Sequence, residues 1–311
     1  MNDLGRVFVA GHTGLVGRAL VRLLSSEPGS QLVLRSRDQL DLTAQAQVND
    51  FFASERPDVV FLAAARVGGI MDNSRHPADF IRENLLIQTN VIDAAWRHGA
   101  RKLLFLGSSC IYPRLAPQPL RPEYLLTGEL EETNRAYAIA KLAGIETCRG
   151  YRSQHSFDAI SALPTNLYGP WDNFDPERSH VIPALIRRFV TAVRGGDEVV
   201  RLWGSGQPRR EFLYVDDLAE ALVTLMRGYS GEIPVNVGTG VDVTIAELAA
   251  LIANETGFRG RIEFDPTYPD GTPRKVLDVS TILSMGWRPR VDLVHGIRQT
   301  IEWFLCREQV S

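Results

Sequence analysis

The sequence predicts an α/β protein: a Rossmann-type doubly wound parallel sheet joined to a smaller, interleaved C-terminal α/β domain. Three observations carry the prediction. Short apolar runs alternate with amphipathic stretches through the first half, the pattern of strand–helix units wound right-handedly onto one sheet. The first run passes straight into a glycine turn that opens a helix, Gly11-His12-Thr13-Gly14-Leu15-Val16-Gly17. After Pro164 the texture changes to glycine, proline and tryptophan, Trp171 and Trp203 among them, which marks a second unit.

In chain order, Val7–Ala10 is the first predicted strand and Val16–Leu24 a helix with Val16, Leu20, Leu23 and Leu24 on one face. Gln31–Arg35 follows as a strand and Ala46–Ser54 as a helix. Val59–Ala65 is apolar throughout, as parallel strands covered on both faces are. A long helix over Pro77–His98 stops at Gly99, a typical C-terminal glycine. Leu103–Leu106, Ala136–Tyr151 and Ala159–Leu163 continue the alternation as strand, helix and strand. Further helices are expected over Ile182–Thr191, over Val215–Arg227 returning to the sheet, and over Asp242–Gly257, opened by Thr244 as N-cap with Glu247 three residues on. The first domain is thus placed at 1–167 with about 213–235 returning, and the second at 168–212 and 236–311. A cleft is expected at the carboxyl ends of the strands, where open α/β sheets bind ligands.

Composition excludes several classes. With 311 residues, 44% hydrophobic and 23% charged, the chain is neither disordered nor fibrous. A net charge of -3 and a pI of about 6.1 remove the basic field that nucleic acid requires. No apolar run approaches the roughly 18 residues of a membrane span, and the amino terminus lacks the basic start and apolar stretch of a secretory signal. Cys110, Cys148 and Cys306 are odd in number and widely spaced. They make neither a disulfide framework nor a metal-ligand spacing, so a reduced, cytoplasmic, metal-free protein is expected.

The glycine turn has a physical reading. A tight turn needs Gly11, close approach of a pyrophosphate needs Gly14, and helix–strand packing needs Gly17. The free amides and positive helix end then favour a diphosphate. At the end of the second strand an acid would bond a free ribose 2′-hydroxyl, whereas arginine accommodates a 2′-phosphate. Here Leu34-Arg35-Ser36-Arg37 precedes the first acid, Asp38. NADP(H) is therefore expected, with Arg37 on the phosphate, aided by Arg35.

Tyr137 and Lys141 stand four residues apart, on one helical face. A phenol near pKa ~10 is too weak an acid at neutral pH, and a neighbouring cation lowers it. Ser108-Ser109-Cys110 directly follows the strand Leu103–Leu106, offering a hydroxyl at the sheet edge. Glycine turn, serine and Tyr–x–x–x–Lys in this order resemble the extended short-chain dehydrogenase/reductase superfamily. The resemblance implies that Ser108 and Tyr137 share the substrate's carbonyl or hydroxyl oxygen, while Lys141 holds the nicotinamide ribose and tunes the tyrosine.

Longer blocks narrow the family. Gly107-Ser108-Ser109-Cys110-Ile111-Tyr112-Pro113, Pro164 to Pro170, Asp172-Asn173-Phe174, Ser179 to Leu185, Trp203-Gly204-Ser205-Gly206, Arg210-Glu211-Phe212 and Asp270 to Lys275 resemble the GDP-L-fucose synthase family, nearly end to end. That resemblance implies NADPH-dependent 3,5-epimerisation and 4-reduction of GDP-4-keto-6-deoxy-D-mannose. Cys110 and His180 become the acid–base pair, either one the base: a C4 ketone acidifies the C3 and C5 protons, and a thiol and an imidazole can move them near neutral pH. Asp41 and Leu42 resemble the pair flanking the adenine, and Ala63 and Ala64 the strand end beside the pyrophosphate. Asn84, Pro164, Asn166, Leu167 and His180 complete the implied cofactor set, and Arg188, Trp203, Arg210, Asp270 and Lys275 the nucleotide-sugar set. Thr13 stands where some family members carry an arginine.

Rival readings are the same chemistry on another GDP-deoxysugar of the GDP-colitose type, a nucleotide-sugar 4-epimerase or 4,6-dehydratase, and an NADP-binding sensor without turnover. The resemblance further implies a homodimer built through the long helices.

Overall fold

In the computed structural model residues 3–176, 179–268 and 270–308 are described; the outer ends of the two expected domains lie outside them. The alternation builds β1 (Gly5–Ala10), α1 (Leu15–Ser25), β2 (Ser30–Val33), α2 (Gln45–Glu55), β3 (Val59–Leu62), a short α3 (Ile70–Arg75), α4 (Pro77–Arg97), β4 (Lys102–Leu106), α5 (Arg135–His155) and β5 (Asp158–Pro164). The strands join one parallel six-stranded sheet in the order β2-β1-β3-β4-β5-β9, where β9 is Val235–Val237. β1 lies between β2 and β3, so the chain reverses direction across the sheet there. That switch point is where such sheets open a ligand crevice. Helices α4 and α5 pack together, as do α1 and α7 (Val215–Gly228). All of β3 is buried, which is why its sequence shows no alternation.

The second unit comprises β6 (Asn166–Tyr168), α6 (Val181–Gly195), β7 (Val199–Trp203), β8 (Arg209–Tyr214), β10 (Asp242–Thr244), α8 (Ile245–Thr256), β11 (Arg261–Asp265), β12 (Arg274–Lys275) and α10 (Leu293–Glu308), while the short α9 (Ser280–Ser284) lies against β9 of the large sheet. β8 pairs with β6, β10 and β12, and β7 with β11. Tyr168, Phe189, Leu248, Ile252 and Ile297 lie in a hydrophobic core separate from that of the large sheet. Leu277, Val279, Ile282 and Trp287 pack instead into the first core, although the sequence reading placed them with the second unit. The return to the sheet likewise runs through Val237, past 235, because that residue pairs with Pro164.

Other differences have local causes. β2 stops at Val33, beyond which Arg35 folds back to donate to the Leu34 carbonyl at 2.8 Å. β3 ends at Leu62; one further bond, Ala63 N to Ala10 O at 3.1 Å, precedes the bend over the glycine turn. Asp242–Thr244 is a strand on β8 rather than the helix start. The capping box of Thr244 and Glu247 opens α8 one residue later. α5 runs a turn beyond Tyr151 and ends on a left-handed Ser156, without the glycine that would have marked it. Among the described residues no helix is long and apolar enough to cross a membrane, and Cys110, Cys148 and Cys306 are free thiols.

Candidate active site

A cleft of about 2310 Å³ runs from the glycine turn to the second unit. At one end the three glycines divide their work. A Cβ on Gly11, which sits at φ +85, would stand 2.8 Å from the backbone of Ala64, and one on Gly17 would stand 2.1 Å from the Gly11 carbonyl. The protein itself therefore requires both. Around Gly14 nothing is nearer than 3.5 Å, so its bareness leaves room for a ligand. Gly14 caps α1 with no side-chain bond, and the first turn holds no acid, which leaves amide donors and a positive helix end for a diphosphate. His12, Thr13, Leu15 and Val16 line the same turn, and burial, then Arg18, pushes the His12 imidazole down.

The arginines separate. Arg37 is 78% exposed, with Nη2 3.8 Å from Glu83, and lines the cleft. Arg35 also lines the cleft and is ion-paired to Glu55. Asp41 accepts from the Thr43 amide at 2.9 Å and hydroxyl at 2.8 Å, bonds that hold its carboxyl low. Leu42 gives its carbonyl to Asn90 at 3.0 Å. Both line the cleft, as do Ala63, Ala64, Pro164, Asn166 and Leu167. Asn166 also donates to the Glu211 carbonyl at 2.8 Å. Asn84 does not reach the lining. It is buried, donating to the carbonyls of Arg66 and Phe80 at 3.1 and 2.8 Å and accepting from the Arg66 amide at 3.0 Å, and it pins the loop beyond β3.

At the centre, Ser108 caps a single turn, Ser109–Ile111, just past β4. Its Oγ lies 3.0 Å from Cys110 Sγ and 3.3 Å from the Cys110 amide. Tyr137 and Lys141 project from α5 into this corner. Lys141 is buried, donates to the Leu106 carbonyl at 2.7 Å, and has Nζ 5.8 Å from the Tyr137 ring centre. Burial pushes Lys141 down to about 8. The Tyr137 phenol moves up, driven by burial and then Cys110, with Ser108 pulling the other way. The expected depression by Lys141 is thus outweighed by loss of solvent. A thiolate at Cys110 would support the ammonium groups of both Lys141 and Lys275.

His180 caps α6 on the second unit and faces the same cleft. Its Nδ1 is 3.9 Å from Asp172 Oδ1, and this carboxylate raises the half-exposed imidazole. Further out, Arg188 donates to the Arg201 carbonyl at 2.9 Å, and Trp203 stacks on Tyr268 at 4.7 Å and 12°. Asp270 accepts from the Ser205 amide at 2.9 Å and hydroxyl at 2.6 Å. Burial lowers Arg210, opposed by Asp270 and Glu131. It also lowers Lys275, opposed by Cys110. All five residues line the cleft.

With this geometry in hand, residues 7–238 match the NAD dependent epimerase/dehydratase family. The chain belongs to that family. Among relatives of this epimerase/dehydratase chain, GDP-L-fucose synthase 1 of Arabidopsis thaliana is 58% identical over 300 residues, covering 96% of this chain and 93% of its own. GDP-L-fucose synthase of Escherichia coli is 52% identical over 310 residues, covering 96% of each. The solved structure of a GDP-L-fucose synthetase from Naegleria fowleri bound to NADP superposes with a TM-score of 0.91 at 27% identity, covering 100% of this chain and 97% of that one.

Sequence reasoning gave no role to several groups of this epimerase/dehydratase site. Asp172 lies in a quoted block, but its pairing with His180 depends on how the loop between β6 and α6 folds. Glu131 acts on both Arg210 and Lys275, and Glu83 meets Arg66 at 2.6 Å beside Arg37. Tyr268, under Trp203, comes from 65 residues away. No local periodicity signals any of these contacts.

Proposed function

We propose that this epimerase/dehydratase chain converts GDP-4-keto-6-deoxy-D-mannose to GDP-L-fucose by 3,5-epimerisation and NADPH-dependent 4-reduction. The observation that carries the reading is the meeting in one cleft of Ser108, Cys110, Tyr137 and Lys141 with the His180–Asp172 pair. The serine, tyrosine and lysine serve reduction; the thiol and imidazole add the means to invert carbons. The high identity to named GDP-L-fucose synthases supports it.

The residues fit an NADP: Gly14 leaves space for the diphosphate, α1 presents free amides, and Arg37 is a largely exposed guanidinium for a 2′-phosphate. Bound there, the dinucleotide supplies hydride to C4. Lys141 holds its ammonium at the tyrosine and the adjoining ribose site. Cys110, as thiolate, takes a proton from C3 or C5, and the electron pair left behind passes to the C4 oxygen as an enolate. His180, whose proton affinity Asp172 raises, returns a proton to the opposite face. At C4 Tyr137 Oη donates its proton to the developing alkoxide, and Ser108 donates a second hydrogen bond. Arg188, Arg210 and Lys275 meet the sugar-nucleotide diphosphate. The Trp203–Tyr268 pair offers a stacking face for guanine, and Asp270 a carboxylate at its edge.

The exposed faces of α4 and α5 form the dimer contact, and a monomer mass in solution would contradict this. Three free thiols suit the reducing cytoplasm.

The test is NADPH oxidation with GDP-4-keto-6-deoxy-D-mannose in deuterated water, with the product analysed for label. Turnover with deuterium at C3 and C5 is expected. Turnover without label would leave a plain 4-reductase and remove the roles of Cys110 and His180. No oxidation would turn the reading toward another sugar or a non-catalytic sensor.

A further inference from the structure

Trp171 opens the loop between β6 and α6. Its backbone lies at φ +73, the left-handed region that a bulky residue occupies only where its surroundings impose it. Two guanidinium groups meet its indole: Arg18 Cζ lies 3.9 Å and Arg307 Cζ 4.1 Å from the ring centre. Trp303 adds a ring contact at 5.2 Å. Arg18 comes from α1, on the large sheet, whereas Arg307 and Trp303 come from α10 of the second unit. The indole is therefore gripped by both halves of the molecule.

Each end of this grip reaches the cleft. The Arg18 Nε donates to the Thr13 carbonyl in the glycine turn at 2.8 Å. On the other side Asp172 follows Trp171 directly. Its amide donates to the Gly169 carbonyl at 3.2 Å, its Oδ1 accepts from the Asn173 amide at 2.7 Å, and it stands 3.9 Å from His180 Nδ1. Its Oδ2 is buried with no partner among the described residues. A buried carboxylate so sparsely bonded does not hold itself in place; the backbone before it must.

We infer that Trp171 is a positioning residue: its cation-gripped, left-handed backbone sets Asp172 against His180, and through Arg18 and Thr13 it ties that pair to the dinucleotide turn. A cation over an indole is attracted by the ring face. Removing the ring frees the backbone to relax toward negative φ and swings Asp172 away from the imidazole. The inference rests on the proposed role of His180, but its test reads the imidazole directly, so it fails or stands apart from the reaction.

The experiment is an NMR titration of the six histidines in the whole ligand-free protein, with His180 assigned through His180→Gln. In the unsubstituted chain the Asp172 carboxylate should raise the His180 midpoint above that of a free imidazole. Trp171→Leu should lower its midpoint toward that of an ordinary imidazole as Asp172 is lost, whereas Trp171→Phe, which keeps a ring face, should retain most of the elevation. Arg18→Gln, a gentler change if Trp171→Leu does not fold, should move the midpoint the same way and weaken NADPH binding about threefold, as one lost cation–ring contact would. An unmoved His180 midpoint in Trp171→Leu, or in Arg18→Gln where the former is insoluble, overturns the inference. So does an equal fall in the Leu and Phe variants, which would make the residue simple filling.

Discussion

Lys141→Met should make the ligand-free protein more stable at neutral pH while abolishing turnover. Lys141 is almost wholly buried, and burial moves it from an ordinary 10.5 to about 8. That is about 2.5 pH units, and at roughly 1.36 kcal/mol each the protonated lysine costs the fold about 3 kcal/mol. Methionine fills similar space without the charge but leaves the Leu106 carbonyl, now bonded at 2.7 Å, without its donor. That loss costs about 1–2 kcal/mol. The net gain is about 1–2 kcal/mol at pH 7. The sign with pH follows from linkage. Between about 8 and 10.5 the unfolded chain binds the proton that the folded chain has released, so the unsubstituted protein gains stability as pH rises through that window. The advantage of the variant should therefore shrink from pH 8 upward and become a deficit between roughly pH 8.5 and 9.5. Urea unfolding of both proteins at pH 7, 8, 9 and 10 measures it, and taking the difference cancels groups the two share. A difference that stays constant across these pH values would show that the lysine is not depressed, and the argument from burial would fail.

Three further outcomes follow from the site. Tyr137→Phe should lower NADPH oxidation by ~10²–10⁴-fold yet leave deuterium exchange at C3 and C5 in place, because Cys110 and His180 are untouched; loss of both would contradict the division of labour. Arg37→Gln should weaken NADPH about tenfold or more and leave NADH nearly unchanged, measured by calorimetric titration; equal losses would remove Arg37 from the 2′-phosphate. Gly17→Ala places a methyl 2.1 Å from the Gly11 carbonyl and should cost about 1–3 kcal/mol of stability. Gly14→Ala, with 3.5 Å of clearance, should unfold like the unsubstituted protein but bind NADPH poorly.

What the sequence made legible was what is encoded locally. Strand–helix alternation, the glycine turn and the tyrosine–lysine spacing each depend on residues within a turn or two of one another, and the structure has the parallel sheet and its switch point where they indicate. The short pieces of the second unit escaped because β6, β8, β10 and β12 hold together by pairing across tens of residues rather than by periodicity. The partners of polar side chains were hidden for the same reason. Nothing near Arg35 announces Glu55 as its partner, and nothing near Asn84 shows that the Arg66 backbone will consume its amide. The phenol is the sharpest instance. Four-residue spacing puts Lys141 beside Tyr137 and argues for a lowered pKa, but the spacing contains no term for burial, and burial dominates both groups. The two must therefore share their task with whatever fills the cleft. A ribose bound as proposed above would give the lysine polar partners and hold its charge beside the phenol, favouring the phenolate. Proton transfer at Tyr137 should thus depend on occupied cofactor: in a titration of tyrosine absorbance, the phenol of the ligand-free protein should stay protonated through pH 10. A fall in its midpoint should appear on adding NADP+, and should be absent in Lys141→Met.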